Sequence, residues 1–270
     1  MIPTLQRSAL TLVVSATLWG AQGLEAQGIE ARVNAVRTGT VRFTYAAGEG
    51  VCGNGANWYR SRDGRSGTFN GMWSGAVANR EVETTCDRGP VRVVVQREEG
   101  DTKAIRLYVG GKWRADTGVT DLGALSAREA GGWLLSVAEH GSDKVARSAL
   151  QAATVGDSID AGAAVLRIAR DDSRSQEVRS NAVHWLGELV GERVAASLDS
   201  IAYEAGDRDV RRAAIMAIAR RPKDEAVPAL QKLAETLPDR ELRRTAVTAL
   251  AQTREPAAIA WLERRLGQRD

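Results

Sequence analysis

His140 and His184 are the only imidazoles in the chain, so a serine or cysteine triad would have to recruit one of them by folding. Ser66, Ser74 and Ser126 all lack the Gly-x-Ser-x-Gly setting of a nucleophile elbow. Glu98, Glu99 and Asp101 crowd onto one expected turn, where three acids face solvent; glycoside hydrolysis needs two carboxyls opposed and spaced. Gly53-Asn54-Gly55 is too short to cradle a phosphate and no Lys-Ser/Thr follows it. Cys52 and Cys86 have no histidine beside them and make a poor zinc set. These residue types predict no catalytic site, no metal and no cofactor, and point to a chain that binds other molecules.

Compartment follows from the N-terminus and the cysteines. One arginine, Arg7, precedes an uncharged apolar run from Ser8 to Trp19 and then small residues, the layout of a secretory signal over residues 1–26 with cleavage after Gly23 or Ala26. The run is too short for a bilayer span, which needs roughly 20 residues, and no later segment is apolar enough to cross. In an exported chain an even cysteine pair predicts a disulfide. Closing a loop of about 35 residues would stabilise the fold by roughly 3–4 kcal/mol. The expected location is therefore periplasmic or extracellular. Net charge is +3, spread as 14 Lys/Arg against 11 Asp/Glu over residues 28–126 and 22 against 22 over residues 127–270. No basic stripe stands out along the sequence, so nucleic acid is not an expected partner.

Two kinds of element must position whatever binds. Residues 28–118 show a period of two: Val41, Phe43 and Tyr45 alternate with polar neighbours, as do Val91, Val93 and Val95, and a further run from Ala104 to Val109 follows Glu98-Glu99-Gly100-Asp101, a hairpin connection. Between them, Gly48 to Gly75 reads as long loops pinned by the cysteines. Its Trp58, Tyr59 and Trp73 could stack on a sugar or peptide or pack in the small sheet. Thr117 to Gly123 reads as the connection, and Ser126 with Glu129 as a helix-opening capping box.

From 126 to 270 the period changes. Val178, Ala182, Val183 and Leu186 recur 32 residues on as Val210, Ala214, Ile215 and Ile218, and again as Leu242, Ala246, Val247 and Leu250. These offsets form one helical stripe. A fainter copy begins at Val145, and a second stripe precedes each, at Leu134, Val165, Leu198, Leu230 and Leu262. The result is four helix pairs and a terminal helix, which must stack to bury their apolar faces.

The segments Asp-Val-Arg-Arg-Ala-Ala-Ile-Met-Ala-Ile (209–218), Glu-Val-Arg-Ser-Asn-Ala-Val-His-Trp-Leu (177–186) and Ala-Val-Pro-Ala-Leu-Gln-Lys-Leu-Ala (226–234) carry a resemblance to HEAT repeats, particularly the short repeats of bilin lyases. With the leader, Gly-Val-Cys-Gly (50–53) and Leu-Tyr-Val-Gly-Gly-Lys-Trp (107–113), the layout also resembles exported bacterial HEAT-repeat proteins of unassigned function. The expected fold is α+β in segregated parts: a small N-terminal antiparallel β module, then an α-helical HEAT-like solenoid.

The resemblance implies that Arg179, Arg211 and Arg243, which recur with the period, form an inter-repeat ladder. HEAT-like di-iron enzymes carry repeated His-Glu dyads, and none occurs here. Second helices line the concave side of such arrays, so side chains there that break the period are candidate partner contacts: His184, Trp185, Arg212, Arg220 and Arg244. His184 shares a column with Gln151, Met216 and Thr248, which suggests a surface position, while Trp185 stands where residues 217 and 249 are alanine. The expected function is a non-enzymatic scaffold gripping a protein or peptide. The alternatives are a bilin-lyase-like accessory subunit, and a glycan- or peptide-binding β module with the solenoid as spacer.

Overall fold

A computed structural model describes residues 28–61, 67–69, 72–74, 86–189 and 192–267. The expected export signal lies outside the described residues. The chain opens with a short helix, α1 (Ile29–Asn34), then β1 (Gly39–Tyr45), β2 (Val51–Gly53), β3 (Trp58–Ser61), β4 (Gly67–Phe69), β5 (Met72–Ser74), β6 (Val91–Glu98), β7 (Asp101–Val109) and β8 (Val119–Ala124). The helical half contains α2 (Ala127–His140), α3 (Asp143–Thr154), α4 (Gly162–Arg170), α5 (Gln176–Leu186), α6 (Glu192–Glu204), α7 (Arg208–Ala219), α8 (Lys223–Thr236), α9 (Arg240–Thr253) and α10 (Pro256–Gly267).

The first sheet has the order β7-β6-β1-β8. Alternation dictates its faces: Val41, Phe43 and Tyr45 on β1 and Val91, Val93 and Val95 on β6 are buried, paired Val41 to Val95 and Phe43 to Val93. Glu99 and Gly100 both take positive φ and close the β6–β7 hairpin. Arg97, itself buried, braces the turn by donating to Thr102 Oγ1 at 2.8 Å, Asn34 Oδ1 at 2.9 Å and the Gly100 carbonyl.

Several elements differ from the sequence reading. The expected connection at 117–123 contains β8, which runs parallel to β1 with Arg42 opposite Asp121, the single parallel pairing between the described strands. Its residues are mostly exposed and carry no apolar alternation, which is why the pattern gave no strand. The six residues of α1 are too few to show a helical period, yet Ile29 and Val33 join the core. Part of the glycine-rich stretch read as loops forms a second sheet, β2-β3-β4-β5, all antiparallel. Cys52 and Cys86 are disulfide-bonded, with Cα atoms 5.2 Å apart, tying β2 to the segment before β6.

Among the described residues α2–α10 form four antiparallel pairs and a terminal helix. Ser126 and Glu129 make the capping box: the Glu129 amide donates to Ser126 Oγ, and the Ser126 amide donates back to the Glu129 carboxylate. Asp239 caps α9 through the amides of Glu241 and Leu242. The second helices α3, α5, α7 and α9 pack along one row more closely than the first helices α2, α4, α6 and α8 do, placing them on the inner side of the array.

The sheet and the array share one continuous core. Phe43 meets Trp133 of α2 edge to face at 5.8 Å. Tyr45, its phenol pushed well above the usual range by burial and therefore protonated, donates to the Ala152 carbonyl at 2.5 Å. Arg60 donates to the Thr154 carbonyl at 2.8 Å, and Gly48 and Ala46 bond the backbone at Val155 and Asp157. Gly156 is required here, since a Cβ would come within 2.8 Å of the Tyr45 ring. The sheet thus closes the N-terminal end of the array, where a bare first pair would leave an apolar face in water.

Candidate functional site

The second-helix face divides into residues that build it and residues it presents. Trp185 belongs to the first class. It is 1 % exposed, in the same column as the buried Ala217 and Ala249, so it fills the core between repeats and is withdrawn from partner contact. His184 is half-buried against Trp185, with ring centroids 5.1 Å apart. Burial, with Arg220 nearby, lowers its pKa to about 4. The ring is therefore neutral at physiological pH. Arg220 approaches Glu188 at 3.4 Å and donates to the His184 carbonyl at 3.3 Å, linking α7 to the end of α5. It is held within the structure and does not stand free for a ligand. Arg212 and Arg244 are exposed, one repeat apart. Arg212 pairs with Asp209 at 2.7 Å on its own helix, a contact worth little in water.

The three periodic arginines do not all do one thing. Arg179 is 6 % exposed and crosses between repeats, pairing with Asp172 at 2.7 Å and with Asp207, the residue that opens α7. Arg211 instead donates to the Ala202 carbonyl at 3.0 Å, and Arg243 to those of Leu237 and Pro238 at 2.6 and 3.0 Å. Both satisfy carbonyls at the end of their own first helix, so they lock a pair internally and form no ladder between pairs. Other side chains supply cross-repeat contacts: Arg147 to Glu177 at 2.9 Å, Gln176 to Asp209 at 2.6 Å and Arg208 to Asp239 at 3.0 Å.

A second site lies on the outer face of the first sheet and was not foreseen. The residues between the buried positions of β1, β6 and β7 include Arg42, Arg92 and Arg106. Strand pairing sets Arg42 opposite Val94, and Val94 opposite Arg106. With the segment 110–116 they line a cleft of about 560 Å³ holding five cationic side chains and one acid, Asp116. Arg42 donates to Asp121 at 2.8 Å and to the Arg114 carbonyl at 3.1 Å; Arg92 donates to the carbonyls of Gly110 and Gly111 at 2.9 and 2.7 Å. Their guanidiniums sit 5.1 and 5.2 Å from the Trp113 ring, within cation–π range. Burial opposes ionisation of Asp121, but the Gly123 amide and Arg42 outweigh it and hold its carboxyl below the usual range.

Of the two readings open for Trp58, Tyr59 and Trp73, stacking on a ligand or packing in the sheet, the structure favours packing for the first two. Trp58 and Tyr59 are 4 % and 9 % exposed, and the side chain of Trp73 lies outside the described residues. Trp113 and Tyr108 are the aromatic residues that line the cleft.

Residues 200–270, from within α6 to the end of the chain, match the family model for HEAT repeats. The helical array is HEAT-repeat-like. The earlier pairs of this HEAT-like array, α2/α3 and α4/α5, carry the same buried columns without falling inside the matched segment. HEAT repeats generally serve as protein-interaction scaffolds and are typically non-enzymatic. No curated protein matches the chain. Among the described residues no helix is long and apolar enough to cross a membrane.

Proposed function

We propose that this chain is an exported, non-enzymatic scaffold that holds a protein or peptide partner on the second-helix face of its HEAT-like array. The observation that carries the reading is the exposure of Arg212 and Arg244 at equivalent positions of α7 and α9, beside columns of short or uncharged side chains such as Ala213, Met216, Thr245 and Thr248. The buried Arg179 and the half-buried Arg211 and Arg243, by contrast, are consumed in holding the fold. Arginine exposed on a rigid surface is a common anchor at protein interfaces. The N-terminal apolar segment and the bonded cysteine pair support export to a periplasmic or extracellular location. The partner is a protein or peptide and not a nucleic acid.

The test is capture of envelope proteins by the immobilised chain, compared with R212E/R244E. Saturable recovery of one or a few proteins, lost in the double variant, supports the reading. Reproducible recovery of nothing, or equal recovery by the variant, overturns it.

A further inference from the structure

We infer that the cleft on the outer face of the β7-β6-β1-β8 sheet is a second recognition site, for an acidic peptide segment. It is built on elements separate from the second-helix face and does not depend on that reading.

The division of labour among its cations carries the inference. Arg42 and Arg92 are engaged by Asp121 and by the carbonyls of Gly110, Gly111 and Arg114, and hold the loop and Trp113 in place. The loop is further fixed by close backbone approach. Gly110 and Gly111 both take positive φ, and a Cβ would lie 2.5 Å from the Gly53 carbonyl oxygen or 2.9 Å from the Gly55 Cα, respectively. The wall is therefore preorganised, which lowers the ordering cost of binding. Arg106, Lys112 and Arg114 remain, and among the described residues their side chains have no hydrogen-bond or ion-pair partner. Three unspent cations around an aromatic surface form a receptor for carboxylates, with the guanidiniums able to take them in bidentate fashion.

Size and composition select the ligand class. The cleft of about 560 Å³ is far larger than a lone carboxylate or phosphate requires, and arginine, tryptophan and tyrosine are the residue types that dominate protein-recognition hot spots. Val94 and Tyr108 give the floor apolar area for a neighbouring side chain. Asp116 lies in the lining, where it repels a continuous phosphodiester chain but can accept from a peptide amide.

The experiment measures fluorescence anisotropy of a labelled peptide alternating Glu and Leu, titrated with the full chain at low salt. Its Lys-for-Glu counterpart, oligo-dT and inorganic phosphate form the other arms. The Glu peptide is expected to bind and the Lys peptide not. R106E/K112E should weaken binding by about tenfold or more, whereas R212E/R244E should leave it unchanged. Arg106 and Lys112 make no described polar contacts, so the thermal melt of R106E/K112E should match that of the parent; R106Q/K112Q serves if it does not. Unchanged affinity in the cleft variants, tighter binding of oligo-dT, or displacement of the peptide by equimolar phosphate would each overturn the assignment.

Discussion

Replacing Arg179 separates the structural arginines from the presented ones. Its side chain is 8 % exposed, while its partners Asp172 and Asp207 are 86 % and 42 % exposed. In R179A both acids regain water, so neither is left as a stranded charge, and the two ion pairs together cost roughly 1–1.5 kcal/mol. Loss of the buried methylene stem adds roughly 1–1.5 kcal/mol. The expected destabilisation is therefore about 2–3 kcal/mol. R179M keeps most of the stem and should cost only about 1 kcal/mol. D207A should cost about 2 kcal/mol despite removing a more exposed residue, because it leaves a buried guanidinium short of a partner; Asp207 makes no capping hydrogen bond whose loss would confuse the comparison. Urea unfolding followed by far-UV circular dichroism reads all three. Destabilisation of R179A below about 0.5 kcal/mol, the level of ordinary surface substitutions, would refute the reasoning. So would R179M proving worse than D207A.

Two glycines should respond oppositely to alanine. A Cβ at Gly187 would lie 2.7 Å from that of Ala217, where α5 meets α7, and G187A should lose about 1–3 kcal/mol; at Gly132, exposed on α2 with nothing within 4 Å, G132A should gain about 0.5–1 kcal/mol in the same urea assay. His184 should impose an acid limb on stability. Its folded-state pKa of about 4 lies below the ordinary 6.5, so the unfolded chain binds the extra proton between those values. Stability should fall by roughly 2 kcal/mol as pH drops through that window, with no contribution above it. H184Q should remove that part of the slope, measured as unfolding free energy at pH 4.5 and 7.

The columns of the repeat were legible because stacking obliges every copy to bury the same positions. Val178, Val210 and Leu242 all prove buried, as do Ala182, Ala214 and Ala246. Trp185, read as a partner contact because it breaks the period, instead obeys the same logic: its column holds the buried Ala217 of α7 and Ala249 of α9, and tryptophan there fills core space beside the smaller side chains. Arg211 and Arg243 share a column with Arg179, yet only Arg179 reaches an acid on the next pair; sequence period fixes where a side chain starts, and the local loop decides which oxygen it meets.

The cleft was half visible. Alternation put Arg42 between Val41 and Phe43, Arg92 between Val91 and Val93, and Arg106 between Ile105 and Leu107, so each arginine had to face away from the core. Their convergence depends on strand order and register, which a charge count along the chain averages away. The strand β8 was hidden for a different reason: as an exposed edge it needs no apolar alternation, and it is held by backbone pairing and by Arg42 to Asp121.

Site-specific photocrosslinking in the host cell tests the scaffold reading most directly. A photoreactive residue at Thr248, exposed on the second-helix face, is compared with one at Lys223, exposed at the start of the first helix α8. The scaffold reading predicts a discrete protein adduct from position 248 in the exported fraction and none from 223. Adducts of equal yield from both positions, or none from 248, would contradict it.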